Sequence, residues 1–507
     1  MIKFLARRLL TAIGLLLVLS FLMYGLLSIA MDPLDDLRIS QALNKQDLIN
    51  ARIRALNLDW PWYRRYASWV YNSVVHQDFG MAWRTQERVN DLLPGAIKTS
   101  VQLVFAATVL ALLIGVTIGV ISALRQYTTF DYAITFVSFV LYSLPVFWVA
   151  VLLKQFLAIG LNDYLAKPHI MWPLAIGLSL LSALFWTGAL GGAGRRRLIT
   201  FAIALAASLA ALLFVMGTSW IDEPQFGVIG IAVIGAATAF GVSALFAGLH
   251  NRRALYSALT TAAVGVGIYM GLRWFFYSFE VNDGILWGLL LIAILIGLAI
   301  GWLWGGPDRG VSMRGAAIVA LVMSVAVWVD QLMWNYPAYY AKLGGRPIPT
   351  LGTTTANFTG DYWATSIDKI THLILPTIAL VMISFAGYVR YQRGAMLEVL
   401  GQDYIRTARS KGLPERVVIV RHALRNALMP LASIVPPDFI SMIGGAVLTE
   451  TIFGWRGMGR MFIDALKLSE VDPVMAYVMI TGGLAMIANL LADLLYALLD
   501  PRIRVNA

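Results

Sequence analysis

Cysteine is absent from this 507-residue sequence, and charge is scarce: 39 basic and 28 acidic side chains make up only 13% of the chain. The first absence excludes disulfides, thiolate metal sites and a cysteine nucleophile, and it leaves the compartment open. The second argues against a water-soluble enzyme, because soluble domains carry about 25% charged residues. Catalytic patterns are missing as well. No GxxxxGKS/T sequence occurs, so the chain has no phosphate-cradling loop of its own. No GxSxG appears, and His76, His169, His250, His372 and His422 never pair at i, i+4, so a helical metal site finds no support.

What is present is apolar surface. Hydrophobic residues make up 59% of the sequence and the mean hydropathy is +0.73. That is more than one soluble core can bury, and a bilayer supplies the missing apolar solvent. The formal charge of +11 fits a nucleic-acid footprint or the basic cytoplasmic loops of a membrane protein. Basic residues sit at the ends of apolar runs, which favours the second reading and argues against a nucleic-acid partner.

A membrane-spanning helix needs about 20 mostly apolar residues to cross ~30 Å of hydrocarbon. The first such run is Leu9–Ala30, preceded by Lys3, Arg7 and Arg8. It exceeds the roughly 7–15 residues of a signal-peptide core, so it reads as a retained span entering from the cytoplasm. Residues 31–98 follow as an external, polar and aromatic segment with nine basic and eight acidic side chains. Further spans are expected at Thr99–Leu124, Asp131–Gly160, Thr371–Tyr388, Leu428–Leu448 and Pro473–Leu498. Six more fill the middle: Trp172–Gly192, Leu198–Gly217, Phe226–Leu249, Ala254–Tyr277, Ile285–Trp304 and Gly315–Met333. Arg195–Arg197, Arg252/Arg253 and Arg309/Arg314 occupy every second connector, and Asp222/Glu223 and Glu280/Asp283 the others. Short-loop Lys/Arg excess marks the cytoplasmic side, so this alternation orients all six. An all-α, polytopic, twelve-span membrane protein with both termini cytoplasmic is expected. Gly267/Gly271 and Gly297/Gly301 form GxxxG patterns, which permit close helix contact.

One tract breaks the charge poverty. From Arg390 to Arg425, eleven of 36 residues are charged, eight of them basic. Asp403 suits the first turn of a short helix, Gly412 its left-handed end, and Pro414 stops continuation. A helix from Asp403 to Lys411 is about 13 Å long, too short to span anything. Tyr404 and Ala408 share one face at i, i+4, with Ala408 and Gly412 small enough for a partner to approach. Two readings stay open: a basic loop lying on lipid headgroups, or a docking helix for a cytoplasmic partner.

The sequence DYIRTARSKGL at 403–413, with RHALRNALMP at 421–430, resembles the EAA loop of ABC importer permeases in the form typical of the peptide-importer branch. Four other places agree: Arg7-Arg8-Leu9-Leu10 running to Asp32-Pro33; Leu58–Pro61 with Asp78–Gly80; Thr449–Trp455 with Gly457–Gly459; and Asp493–Arg502. Together they resemble the B-type membrane subunit of dipeptide/oligopeptide importers over about 1–165 and 340–507. Arg406 and Thr407 replace the Glu and Ala of the general motif, as is common in that branch. Arg456 replaces a usual proline, and Ala30-Met31 replaces a Pro-Gly pair. The run Pro436-Pro437-Asp438 is unusual and bears on substrate identity.

The resemblance implies a six-span type I permease core, in 1–165 and 336–507, with about six extra helices (166–335) inserted between core spans 3 and 4. It implies a non-catalytic subunit that binds no cofactor and works with a homologous second permease. ATP and Mg would sit on two partner ATPase subunits docked on the 390–427 loop. An extracytoplasmic binding protein would deliver a peptide. Asp403, Tyr404, Arg406, Thr407, Ala408, Lys411 and Gly412 become the expected ATPase-coupling residues, and Ser384, Pro436, Pro437 and Asp438 the expected pathway residues. Asp438 either caps the proline-interrupted backbone or offers the pathway a negative site. Trp62, Tyr66 and Trp69 form a stripe suited to the headgroup region or to the binding protein. The inserted helices, which away from their ends hold almost no polar side chains, with Arg273 as the exception near an end, are expected to be an accessory bundle beside the pathway. Nickel, glutathione or an oligosaccharide are alternative solutes. A secondary transporter and an enzyme in the middle block are weaker rivals, since the chain offers mainly Asp438 as an intramembrane charge.

Overall fold

The computed structural model describes residues 2–41, 44–306 and 309–499. The last residues of the 493–502 motif, Asp500 to Arg502, and both chain ends lie outside the described residues. The protein is an all-α polytopic membrane protein. Among the described residues, eleven helices are long and apolar enough to cross a bilayer, or twelve if one bent pair counts as a span. Among the described residues the strands are a two-residue antiparallel ladder, β1 (Met81–Ala82) on β2 (Glu87–Arg88).

Helix α1 (Ile2–Ala30) leads to short helices α2 (Asp35–Ile39), α3 (Lys45–Ala55) and α4 (Trp62–Val75). The aromatic stripe of α4 is engaged within the chain. Tyr66 Oη lies 2.7 Å from Ser20 Oγ, Trp62 lies tilted against Phe21 with ring centroids 5.0 Å apart, and Trp69 is buried with Tyr24 and Leu27, so the stripe packs on α1. The long helix α5 (Val89–Leu124) then runs about 54 Å at ~1.5 Å per residue.

The third expected span is broken. Helix α6 (Thr129–Ser143) stops before Pro145, whose fixed φ and missing N–H interrupt the helical ladder. The chain resumes as α7 (Val146–Leu152), a π-helical stretch Leu153–Ile159 and α8 (Gly160–Ala166).

The six central helices fall close to the expected spans: α9 (Trp172–Leu190), α10 (Gly194–Gly217), α11 (Gly227–Phe246), α12 (Arg252–Ser278), α13 (Asp283–Gly305) and α14 (Arg309–Lys342). They do not form one bundle. Helices α9 and α10 make a hairpin that leans on α6, with Phe130 edge-on to Phe185 and Gly188 against Phe130. Helices α11 to α14 form a four-helix bundle with its own core around Ile231, Ala262, Tyr269 and Met323. Gly297 and Gly301 pack directly on α14, where a Cβ on Gly297 would meet the Ala316 carbonyl at 2.9 Å. Gly267 and Gly271 face open space, so only one of the two glycine pairs is used.

Helix α15 (Tyr362–Leu400) starts at Asp361, whose carboxylate accepts the Ala364 N–H at 3.0 Å. After it come α16 (Asp403–Ser410), α17 (Glu415–Val417), a π-helical turn Val418–Leu424, α18 (Arg425–Ala427) and α19 (Met429–Gly445). The fifth core span is therefore a bent pair, 42° between Glu415–Ala427 and Met429–Gly445, and it ends before the expected Leu448. Helices α20 (Val447–Phe453), α21 (Met458–Lys467) and α22 (Val471–Leu499) complete the chain.

Helices α5 and α15 form the spine. Gly115 and Gly119 on α5 let α15 approach so closely that a Cβ on Gly115 would lie 2.7 Å from Tyr388 Cβ, and one on Gly119 2.9 Å from Gln392 Cβ. Small residues take this place because apolar area gives little drive for helices to associate in lipid, so close van der Waals contact must supply it. Gly95, on the same helix, has nothing within 4 Å of a would-be Cβ. Gly95→Ala should raise thermal stability in detergent, by up to about 1 kcal/mol of removed backbone entropy. Gly115→Ala should lower it, by about 1–3 kcal/mol of overpacking. Melting curves of the two variants check the opposite signs.

Candidate functional site

The charged tract is built on the α5–α15 spine. At the α5–α6 turn, Asp131 is buried, and Arg393 of α15 donates to its two oxygens at 2.7 and 2.8 Å. Ser122 Oγ donates to the same carboxylate at 2.5 Å and the Tyr127 N–H at 3.1 Å. A bidentate guanidinium–carboxylate pair with two further donors fixes both position and rotation of the α15 end. The same turn holds the α9–α10 hairpin, since Arg125 donates to the carbonyls of Ala189 and Leu190.

Two residues past α15, the short helix α16 begins. Asp403 lies in its first turn, where a carboxylate suits the positive helix end, and Lys411 is the residue after its last turn. Gly412, at φ +74°, terminates it. Its N–H donates to the Arg409 carbonyl at 2.9 Å, and the Leu413 N–H reaches the Ala408 carbonyl at 3.4 Å. This pair of bonds is a Schellman cap, and the left-handed residue it needs is why glycine stands at 412. Arg409 then clamps Glu415 through bonds of 2.7 and 3.2 Å.

Which face of α16 is free differs from the sequence reading. Ile405 and Ala408 are buried, packed with Ala123, Met396, Val418 and Ala423. Ala408 thus seats the helix on its own chain. Tyr404, Arg406, Thr407, Lys411 and Gly412 are exposed together, and Arg406 sits 3.5 Å from the carboxylate of exposed Asp403. Tyr404 Oη accepts from Asn426 Nδ2 at 2.8 Å, which ties α16 to α18.

The expected pathway residues come together on α15 and α19. Tyr388 Oη donates to Asp438 Oδ2 at 2.5 Å, and Ser384 Oγ lies 3.5 Å from Met442 Sδ. Helix α19 continues through Pro436 and Pro437. The partner of Asp438 is therefore a side chain of the neighbouring helix rather than the freed backbone of its own. Asp438 is half-buried and keeps part of its surface open.

Other ionisable groups inside the fold, Arg273 apart, escaped the sequence reading. Lys154, inside the π-helical stretch, donates to the Ile452 carbonyl at 3.0 Å. Asp330 on α14 is buried and accepts from the N–H groups of Phe226 and Gly227 at 2.6 and 3.0 Å and from Tyr269 Oη at 2.6 Å. Arg273 stacks over Trp334 at 4.3 Å. Glu450, between α19 and α21, is fully buried and accepts from Ser100 Oγ at 2.5 Å and the Arg460 N–H at 3.0 Å. Burial pushes its carboxyl above the usual carboxylate range, although Ser100 and the backbone donors pull it down. Gly457 packs so closely on Glu450 that a side chain there would collide with the carboxylate. A patterned signal existed only for Glu450, which lies in the Thr449–Trp455 motif. The others pair with residues far away in sequence.

With this geometry in hand, known proteins add a decisive likeness. Residues 263–505 match the family described as "Binding-protein-dependent transport system inner membrane component". Residues 263–505 belong to this family. The match begins within α12, so it takes in α13 and α14 as well as the C-terminal helices. The chain is 43% identical over 155 residues to the oligopeptide transport system permease protein OppB of Mycobacterium tuberculosis, covering 31% of this chain and 48% of that protein. It is 49% identical over 138 residues to the dipeptide transport system permease protein DppB of Escherichia coli, covering 27% and 41%. It is 45% identical over 155 residues to the oligopeptide transport system permease protein AppB of Bacillus subtilis, covering 31% and 48%. The chain therefore spans about half the length of these relatives.

The Asp131–Arg393 pair should be a stability determinant of the site. Arg393→Ala leaves a buried carboxylate without its cation and should destabilise by about 3–5 kcal/mol. Adding Asp131→Ala should restore part of the loss, which thermal unfolding of the single and double variants measures.

Proposed function

We propose that this chain is a permease subunit of an ATP-driven importer and forms part of the translocation pathway for di- or oligopeptides. The observation that carries this reading is α16: a short, Schellman-capped helix with an exposed polar face, built from the DYIRTARSKGL sequence and seated on the π-helical turn Val418–Leu424 in a core shared with α5 and α15. The relatives are named as peptide permeases, which supports peptide as the solute class. By the Lys/Arg rule the α16 end of the bundle is cytoplasmic, with both chain termini on that side.

The work divides between this chain and its partners. Two ATPase subunits, carrying ATP and Mg, engage α16 and its equivalent on a homologous second permease. A binding protein on the opposite face, where residues 31–98 and helices α20 and α21 lie, delivers the solute. ATP-driven closure of the ATPases moves α16, and the helices built on it move with it. The affinity of the ATPases for α16 must differ between inward- and outward-facing states, because a partner binding both equally shifts nothing. This chain itself catalyses no bond chemistry. The core occupies 1–165 and 336–507, with the α9–α10 hairpin and the α11–α14 bundle inserted between its third and fourth spans.

Asp438 and Ser384 face the pathway in this reading, with Tyr388 holding the carboxylate in place. The α-ammonium of a peptide or a basic side chain is the matching group. Asp438→Asn keeps an acceptor for Tyr388 while removing the charge. It should lower uptake of cationic peptides relative to neutral ones in proteoliposomes. An unchanged ratio would remove Asp438 from the pathway.

The wild-type chain should co-purify with a second permease and two ATPases. Gly412→Leu forces a branched side chain into a left-handed conformation that costs about 1–2 kcal/mol and adds bulk at the exposed face. The variant should insert and assemble, but its uptake per ATP hydrolysed should fall about tenfold, equivalent to roughly 1.4 kcal/mol. Gly412→Asn, which tolerates the same conformation, should retain more coupling. Normal uptake by a stably expressed Gly412→Leu protein contradicts the assignment.

A further inference from the structure

The inserted four-helix bundle touches the charged loop where Gly248 meets Arg416. Gly248, at φ +85°, ends α11, and its N–H donates to the Ser243 carbonyl at 2.7 Å. A Cβ at Gly248 would lie 3.0 Å from Arg416 Nη1 and 3.7 Å from its Cζ, so the Arg416 guanidinium rests against this turn. Arg416 belongs to α17, and its neighbour Glu415 is held by Arg409 of α16. Within the bundle, Arg253 at the start of α12 packs against Gly306, which closes α13 at φ +51°. Two glycine turns thus receive two arginine heads. They join the α11–α12 turn to the α13 end on one side and to the α16–α17 segment on the other.

We infer that the inserted bundle is a working part of the coupling apparatus, with Arg416 as a positioning residue that braces the α16–α17 segment against the C-terminal end of α11. This rests on the reading of α16 as the helix that engages the ATPases. The chemistry favours the contact. The last carbonyls of a helix carry partial negative charge, and a guanidinium set there is attracted to them. Glycine at 248 supplies both the left-handed conformation that ends the helix and the space the guanidinium fills. A movement of α16 must then either carry the α11 end with it or withdraw Arg416 from its seat. In both cases the bundle sets the resting position of the segment. An accessory bundle standing clear of the moving parts, as the sequence alone suggests, has no such role.

The test uses the assembled transporter in lipid nanodiscs and proteoliposomes, with Arg416→Lys, Arg416→Ala and Arg416→Glu. ATP hydrolysis is read with and without peptide-loaded binding protein, and uptake is read in parallel. The ratio of stimulated to basal hydrolysis should fall at least about fivefold in Arg416→Glu, the lower end of ordinary coupling effects. It should fall less in Arg416→Ala and stay near wild type in Arg416→Lys, with the complex intact throughout. Gly248→Ala, made on the other side of the contact, should reproduce the Arg416→Ala effect. A wild-type ratio in Arg416→Glu overturns the brace. If Gly412→Leu uncouples while Arg416→Glu and Gly248→Ala do not, the brace is wrong and the role of α16 stands. If no ATPase co-purifies, or Gly412→Leu couples normally, the role of α16 falls and the brace falls with it.

Discussion

Everything at the charged end of this protein depends on how closely α5 and α15 approach. Gly115 and Gly119 remove the side chains that would hold the helices apart, and Tyr388 and Gln392 fill the contact. Beyond the last turn of α5, Asp131 takes the bidentate grip of Arg393. The two contacts, one apolar and one ionic, leave α15 little freedom to slide or rotate. Helix α16 follows after a two-residue turn and buries Ile405 and Ala408 on the same base.

The polar groups inside the spans obey one constraint. A carboxylate placed in the hydrocarbon region costs about 2.5–3.5 kcal/mol on insertion scales, so each must find donors. Asp438 finds Tyr388, and Asp330 finds Tyr269 and two backbone N–H groups at the start of α11. The difference between them is access. Asp330 is enclosed and stitches α11, α12 and α14 together, whereas Asp438 keeps part of its surface open. The first has the character of a structural anchor. The second retains capacity for another ligand.

Periodic and compositional features were legible in the sequence, and pairings distant along the chain were not. The first five central spans came within a few residues of α9 to α13, because apolar run length and charged connectors are local signals, whereas the sixth, Gly315–Met333, covers only the middle of α14. The cap at Gly412 was also legible, since a left-handed helix end leaves a glycine followed shortly by proline. The face of α16 was not. Tyr404 and Ala408 share a helical side by spacing, but which side meets the rest of the chain depends on Met396 and Ala423, and spacing cannot reveal that. Pro145 splits a run that hydropathy reads as one span. Asp131, Lys154 and Asp330 acquire meaning only from Arg393, the Ile452 carbonyl and Tyr269. The division of the middle block into a hairpin and a four-helix bundle likewise comes from tertiary contacts, as all six helices look alike in hydropathy.

The central claim is that α16 moves as one body with α5 and α15. The absence of cysteine makes spin labels at two introduced cysteines unique, and Gln126 and Ser410 are exposed positions on the α5–α6 turn and on α16. Electron–electron distance measurements between Gln126→Cys and Ser410→Cys in the assembled transporter, nucleotide-free and ATP-trapped, test the claim directly. The account predicts the same distance in both states, while the α16-to-α16 distance across the proposed pair of permeases changes. A shift between the two labels larger than about one helical turn, ~5.4 Å, would contradict it.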